Sequence, residues 1–456
     1  MPTYYPKADK WTIINLVWPQ LLMMFLQFGI AFVCVWVAGR IDPVVQASFG
    51  MIMQSVMFLQ VLAMAVGTGA VTVISQSLGA GLEVRARRYV LLVLVGSLGL
   101  GMLIALLGHL FRAPFFNALR APAETLEILD LYWSVTLLTT PLMYVWNVSA
   151  VVFRAIRKVL PPLWITFLVF LIISLGSTGL GLGWWGLPNC GYMGIAWSNF
   201  VATLLGVMVN IAVLLRLGYA RPADLPSWAW VRQAGPKLVR VAWPAGLSQL
   251  LWQLGYLVIF AITASLPVGK VAALAGMTAG IRIESFVFMP ALAFHMTASV
   301  LVGNSLGAGD KAEARRLAIL LVTSGSIFVT SVVLCMWPFM EEMAALLSGS
   351  EAVQKETASY LFYNLLSAPF STAGVILGGV MVGAGATRYN LIVFGGCFWL
   401  LRLPVAWIFG HLVWGDAAGV FLSMLVSQCA QALIMIWIFL RLDWTRFALI
   451  RRGPNM

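Results

Sequence analysis

The chain has 456 residues, of which 61% are hydrophobic and only 10% charged, with a mean hydropathy of +0.94 and a net charge of +12. A soluble protein of this length needs about a quarter charged residues to cover its surface, so a soluble globular fold is excluded. Apolar runs of about 20 or more residues recur, each long enough to cross ~30 Å of hydrocarbon as a helix, and such runs exclude a barrel of alternating strands.

Twelve membrane spans are predicted in chain order, near 12–38, 48–75, 90–111, 128–153, 162–182, 192–215, 239–264, 272–302, 317–338, 357–382, 390–413 and 418–440. The first follows the short MPTYYPKADK. It has no A-x-A site behind it and is too long for a signal-peptide core, so it is expected to be retained. With the N-terminus placed in the cytoplasm, 21 Lys and Arg residues fall on that side, Lys7, Arg85, Arg87, Arg88, Arg451 and Arg452 among them. Five fall on the other side: Arg40, Arg112, Arg120, Lys270 and Lys355. That asymmetry is the positive-inside rule, and it accounts for the basic charge without nucleic acid as a partner. A multi-pass protein of the plasma membrane with both termini cytoplasmic is expected. The five cysteines stand singly, with no C-x-x-C, and read as packing residues.

The stretch after span 2, SLGAGLEVRARR (77–88), returns after span 8 as SLGAGDKAEARR (305–316). The offset is 228 residues, half of the chain. Six spans separate the copies, so both lie on one face and the halves are parallel repeats. Trp18-Pro19 in span 1 is echoed by Trp243-Pro244 in span 7. The expected organisation is an N-lobe over 1–220, a cytoplasmic linker over 221–238 (RPADLPSWAWVRQAGPKL) and a C-lobe over 239–456. Two patterns carry no chemistry. G-N-S-L-G at 303–307 lacks the strand–turn–helix elbow of a serine nucleophile, and G-L-G-W-W-G at 181–186 lacks a surrounding βαβ unit. The three histidines, His109, His295 and His411, are far apart. No metal site, cofactor or enzymatic centre is expected.

Polar groups inside the spans are the functional candidates, since an intramembrane charge costs at least ~2.5 kcal/mol. Glu284 is the one carboxylate deep in a span. Arg282 is two residues away and does not face it on a helix. Glu284, Phe288, Ala291 and His295 share a stripe, and Glu284 to His295 spans about 16 Å along the axis. Glu284 and His295 are candidates for an ion or proton path; the structural alternative is that Glu284 bonds an arginine of another span, such as Arg402. Gln249, Gln253 and Tyr256 share a face of span 7. With Gln54, Asn147, Arg282 and Arg402 they are candidates for lining a substrate cavity, or for simple hydrogen bonding between packed helices. Gly276-x-x-x-Gly280 and Gly374-x-x-x-Gly378 are packing motifs.

The chain resembles the multidrug and toxin extrusion family over essentially its whole length. The resemblance rests on VISQSLGAGLEVRARR (73–88), IRIESFVFMPALAFHMTASVLVGNSLGAGDKAEARR (281–316), GVMVGAGATRYN (379–390), WLLRLPVAW (399–407) and WGLPNCGYMGIAWSNF (185–200). It implies an all-α fold of two six-helix lobes and alternating access, with small amphipathic or cationic organic compounds exported against a proton or sodium gradient, proton being favoured. The implied partners are that substrate, the coupling ion and membrane lipids, with the protein a monomer. A flippase for lipids or lipid-linked sugars of the same wider superfamily and a major-facilitator-type transporter are the alternatives. The chain departs from the family where many bacterial members carry an aspartate in helix 1. The corresponding position is Val33 or Cys34, and a second aspartate position falls near Ser177. Gln249 and Gln253 stand where another branch has helix-7 carboxylates.

Overall fold

The computed structural model describes residues 8–118 and 123–449. Among them, twelve helices are long and apolar enough to cross a membrane. They are α1 Lys10–Ile41, α2 Pro43–Gly79, α3 Glu83–Leu110, α4 Ala123–Ala155, α5 Leu160–Leu182 and α6 Tyr192–Arg216. The second half supplies α7 Trp228–Ala264, α8 Lys270–Gly307, α9 Lys311–Met336, α10 Glu351–Ala384, α11 Thr387–Val413 and α12 Ala417–Arg441. Each predicted span is present, and the protein is an all-α polytopic membrane protein. Lys7, Arg120, Arg451 and Arg452, which entered the charge asymmetry, lie outside the described residues.

The helices are longer than the apolar runs that announce them. Their polar ends keep the intrahelical hydrogen bonds going into the headgroup region; the 37 residues of α7 span about 55 Å. Short helices at Arg112–Ala118 and Met340–Leu347, not anticipated as separate elements, follow α3 and α9. A second difference lies in α11. It is wound in wide π-helical turns over Leu391–Gly395, Cys397–Arg402 and Ile408–Val413. Pro404 offers no N–H to the turn before it, and widening the turn is one way a helix absorbs that loss.

The chain forms two compact units. One comprises Trp18–Ile74 and Leu82–Val239, the other Met1–Val17, Ser75–Gly81 and Arg240–Met456. In the first, here the N-terminal unit, the core is built from Cys34, Val37, Phe49, Ile52, Tyr132, Trp133, Ile173 and Ile195. In the second, the C-terminal unit, it is built from Ile259, Met277, Val287, Tyr360, Leu365, Phe398, Phe421 and Met424.

The repeated turn has a direct structural reason within the C-terminal unit. The last turn of α2 crosses the last turn of α8 with backbone against backbone. A Cβ on Gly79 would sit 1.9 Å from the Asn304 carbonyl oxygen, and one on Gly307 would sit 2.1 Å from that of Gln76. Gln76/Asn304 and Gly79/Gly307 are each 228 residues apart, so the two contacts exchange under the repeat, as a local twofold axis requires. Each helix then turns through a left-handed glycine, Gly81 at φ +75° and Gly309 at φ +83°, a conformation that costs other residues a steric penalty. The Gln76 amide completes the crossing. Its Nε2 donates to the Gly383 carbonyl at 2.8 Å, and its Oε1 accepts from the Leu449 N–H at 2.8 Å.

Gly307→Ala is expected to destabilise the protein by about 1–3 kcal/mol, because a rigid carbonyl cannot give way as a side chain can. Gly96→Ala on α3, where a Cβ would meet nothing within 4 Å, is the control and should be neutral or slightly stabilising. Thermal melting of the two purified variants in the same detergent checks the difference.

Candidate functional site

Glu284 sits on α8 one turn after Gly280. A Cβ on Gly280 would lie 2.2 Å from the Tyr360 ring, and one on Gly276 would lie 2.6 Å from the Glu356 Cβ. The G-x-x-x-G motif is therefore what lets α10 approach α8, and it brings the Tyr360 ring against the α8 backbone at Gly280. The fully buried Tyr360 donates its hydroxyl to the Glu284 carboxylate. Its ring is held edge-on by Phe421 of α12, with centroids 5.2 Å apart.

Arg402 approaches from the π-wound part of α11 and is only 1% exposed. Its Nε donates to Ser427 Oγ of α12 at 2.7 Å. The guanidinium lies 4.4 Å from the centroid of Phe398 and 5.7 Å from that of Trp252. Rings supply a face for the cation at sites where water is excluded. The Tyr256 hydroxyl lies beside Arg402 and within electrostatic range of Glu284. Glu284, Tyr360, Tyr256 and Arg402 thus form one cluster that carries an acid and a base. The acid's direct partner is Tyr360; a direct Glu284–Arg402 bridge is absent from the ion pairs among the described residues. Arg402 Nη1 is enclosed and without an acceptor there.

The other anticipated residues fall elsewhere. Gln249 and Gln253 are half-buried on the Tyr256 side of α7, alternating with the exposed Leu250, Leu254 and Leu257. Arg282 is exposed and does not face Glu284, as its two-residue spacing implied. His295 shares with Glu284 the face toward α10, where its Nδ1 lies 2.8 Å from the Val375 carbonyl oxygen. It is about three turns further along, outside the cluster. Gln54 and Asn147 belong to the N-terminal unit; Gln54 is exposed, and Asn147 donates to the Met143 carbonyl of its own helix at 2.9 Å.

The positions where the resemblance would put carboxylates are neutral. Cys34 is 2% exposed and takes an Asn199 amide contact at 3.6 Å. Ser177, fully buried, lies beside it. Val33 packs against the same core.

Sequence reasoning missed Tyr360, Ser427, Phe398 and Trp252. One signal was available for Tyr360: a tyrosine inside an apolar span must find a partner for its hydroxyl. Which partner it finds depends on the α8–α10 register, which no local pattern encodes.

Twelve membrane helices, internal repetition and an acid–base cluster inside the bilayer define a polytopic transporter rather than an enzyme. The sequence profile of the MatE family matches residues 19–177 and 244–408, one segment in each half, and the chain belongs to that family. Among curated relatives, a probable multidrug resistance protein NorM of Bradyrhizobium diazoefficiens is 27% identical over 295 residues, 62% of this chain and 61% of the relative. The probable multidrug resistance protein YoeA of Bacillus subtilis is 20% identical over 85% of this chain and 83% of its own length. Among solved structures, a mutant of the Vibrio cholerae MATE transporter VcmN superimposes with a TM-score of 0.87 at 21% identity, covering 94% of this chain and 96% of its own. A MOP superfamily transporter from Pyrococcus furiosus gives 0.86 at 18% identity and 97% coverage of both chains. These likenesses show the fold. The family match sets aside the major-facilitator alternative.

Tyr360→Phe keeps the ring and removes the hydroxyl that holds Glu284. It is expected to cost about 1–3 kcal/mol, the range for leaving a buried group unsatisfied. The half-buried Tyr363→Phe should be neutral by comparison. Melting curves of both variants give the readout.

Proposed function

We propose that the protein is a proton-coupled antiporter that exports small cationic or amphipathic organic compounds across the plasma membrane by alternating access. The observation that carries the reading is the placement of Glu284. It is an intramembrane carboxyl that accepts from one hydroxyl and forms no ion pair among the described residues, beside a cation that is already bound to Ser427. A carboxyl in low dielectric can take up and release a proton near neutral pH. Sodium needs several hard oxygen ligands, and no group of three or more His, Cys, Asp or Glu that could hold a metal ion occurs among the described residues. In this reading protonation and a cationic substrate compete for the Glu284 charge, Tyr256, Gln253, Gln249, Arg282 and Arg402 belong to the substrate cavity, and His295 acts about three turns further along the proton path. Gln54 and Asn147 contact substrate within the N-terminal unit. The relatives named as multidrug resistance proteins support the substrate class.

A second reading, transport of an anionic or lipid-type amphipath, is favoured by one observation: Arg402 Nη1, enclosed beside the same carboxyl, has no acceptor among the described residues. The Pyrococcus furiosus protein of similar fold is described as having a binding pocket of reversed polarity that suggests a different function. Transport of cationic dyes and of labelled lipids, tested side by side in liposomes, separates the two readings.

Glu284→Gln is expected to abolish export driven by a pH gradient while the protein still folds and inserts. Wild-type export by that variant under a proton gradient would make Glu284 a scaffold residue. The proposed orientation, with both termini cytoplasmic, puts the loop between α5 and α6 outside the cell. Cys190 in that loop is exposed. In a variant retaining only this cysteine, a membrane-impermeant maleimide should label intact cells; labelling only after the cells are opened would reverse the orientation.

A further inference from the structure

The two copies of the repeated stretch differ in their charges. Arg85 stands where the second copy has Glu313, and Leu82 where it has Asp310. In the second copy each charged side chain has at least one polar partner within the protein. Asp310 caps α9 by accepting from the Glu313 N–H at 2.8 Å, and Glu313 lies 3.5 Å from Arg316. Lys311 lies 3.8 Å from Asp443, Arg315 donates to the Leu440 carbonyl at 3.1 Å, and Arg316 to the Ala8 carbonyl at 3.2 Å.

The first copy, in the N-terminal unit from Leu82 onward, is not satisfied in this way. Arg87 takes Asp224 at 2.8 Å, and Glu83 is exposed at the first turn of α3. Arg85 and Arg88 lie on one face of α3 by their i,i+3 spacing. Both are half-buried, and their Nε atoms are enclosed with no acceptor among the described residues. Lys237 of α7, also half-buried, lies within electrostatic range of Arg85. Tyr89, one turn after Arg85, is fully buried, and its hydroxyl lies beside the Arg85 guanidinium. The Arg85 guanidinium is 6.0 Å from the Tyr89 ring centroid, and Trp230 of α7 holds that ring edge-on at 4.9 Å. None of Arg85, Arg88 and Lys237 forms an ion pair among the described residues.

Cations gathered with no counter-ion among the described residues repel one another, so the arrangement favours an anion with several acceptor oxygens. Guanidinium forks match phosphate oxygens in particular. The depth suits a headgroup. Trp228, at the start of α7, is 74% exposed, and exposed tryptophans belong to the membrane interface.

We propose that Arg85, Arg88, Lys237 and the Tyr89 hydroxyl form a binding site for a phosphate-bearing anion at the membrane surface, separate from the Glu284 cluster. The phosphate comes either from an anionic phospholipid headgroup or from a soluble phosphate compound. The leaflet concerned, the cytoplasmic one, rests on the proposed orientation; the site itself does not.

Thermal melting of the full-length protein in detergent tests this without any transport readout, so its failure is distinguishable from failure of the Glu284 reading. Phosphatidylglycerol is titrated against phosphatidylcholine, and sodium phosphate against sodium chloride at matched ionic strength. Stabilisation by phosphatidylglycerol alone identifies the lipid source, and stabilisation by phosphate identifies the soluble one. Lys237→Gln should weaken the half-saturation about five-fold, the worth of one cation near a charged surface. Arg85→Glu, which recreates the Glu313–Arg316 pairing of the second copy, removes two charges and should weaken it about 25-fold. Tyr89→Phe deletes only the hydroxyl and carries the test if Arg85→Glu fails to fold. The proposal is overturned if neither probe stabilises the wild type, or if the variants respond as the wild type does.

Discussion

The close approach of α8 and α10 is the constraint on which the C-terminal unit depends. In lipid there is little hydrophobic force between helices, so association relies on packing and on polar contacts made at short range. Along this pair glycines occur wherever the backbones touch. A Cβ on Gly379 would lie 2.2 Å from the His295 carbonyl oxygen, and one on Gly383 would lie 2.5 Å from that of Ser299. Gly276 and Gly280 play the same part at the other end. One register is compatible with all four contacts, and that register sets Tyr360 against Glu284 and leaves the Gly383 carbonyl for Gln76.

The buried charges follow from that frame. An arginine inside the membrane needs acceptors and a face on which to rest, and Arg402 finds Ser427, Phe398 and Trp252. The wide turns of α11 around it depart from the geometry of an ordinary span, as helices often do near functional positions. Glu284 meanwhile is held by a neutral hydroxyl. A carboxyl and a guanidinium are thus kept in one cluster without a direct ion pair among the described residues. The Cys34, Ser177 and Asn199 group in the N-terminal unit is polar but uncharged, so it can offer dipoles and no coupling charge.

Repetition explains the architecture, and departures from repetition mark the places with separate work to do. Gly79 and Gly307 are equivalent and make equivalent contacts at a local twofold axis. Arg85 and Glu313 are equivalent in position and opposite in charge. The second copy closes its charges internally, aided by Asp443, whose carboxyl the Thr445 hydroxyl at 2.5 Å holds below the ordinary carboxylate range. In the first copy Arg85, Arg88 and Lys237 form no ion pair among the described residues.

Composition alone determined that this chain spans a membrane, because burying so many apolar residues leaves too few charges for a soluble surface. Span number and the parallel repeat followed from hydropathy and from one stretch written twice, since both are properties of local sequence. The single intramembrane carboxylate was visible for the same reason, as was the failure of Arg282 to face it, which is a matter of helical periodicity. The partners of Glu284 and Arg402 were not visible. Tyr360 is 76 residues from Glu284, and Ser427 is 25 from Arg402. The enclosed cations beside Tyr89 likewise depend on how α7 lies against α3. Periodicity tells which side of a helix a residue occupies, but only the packing of one helix on another decides what that side meets.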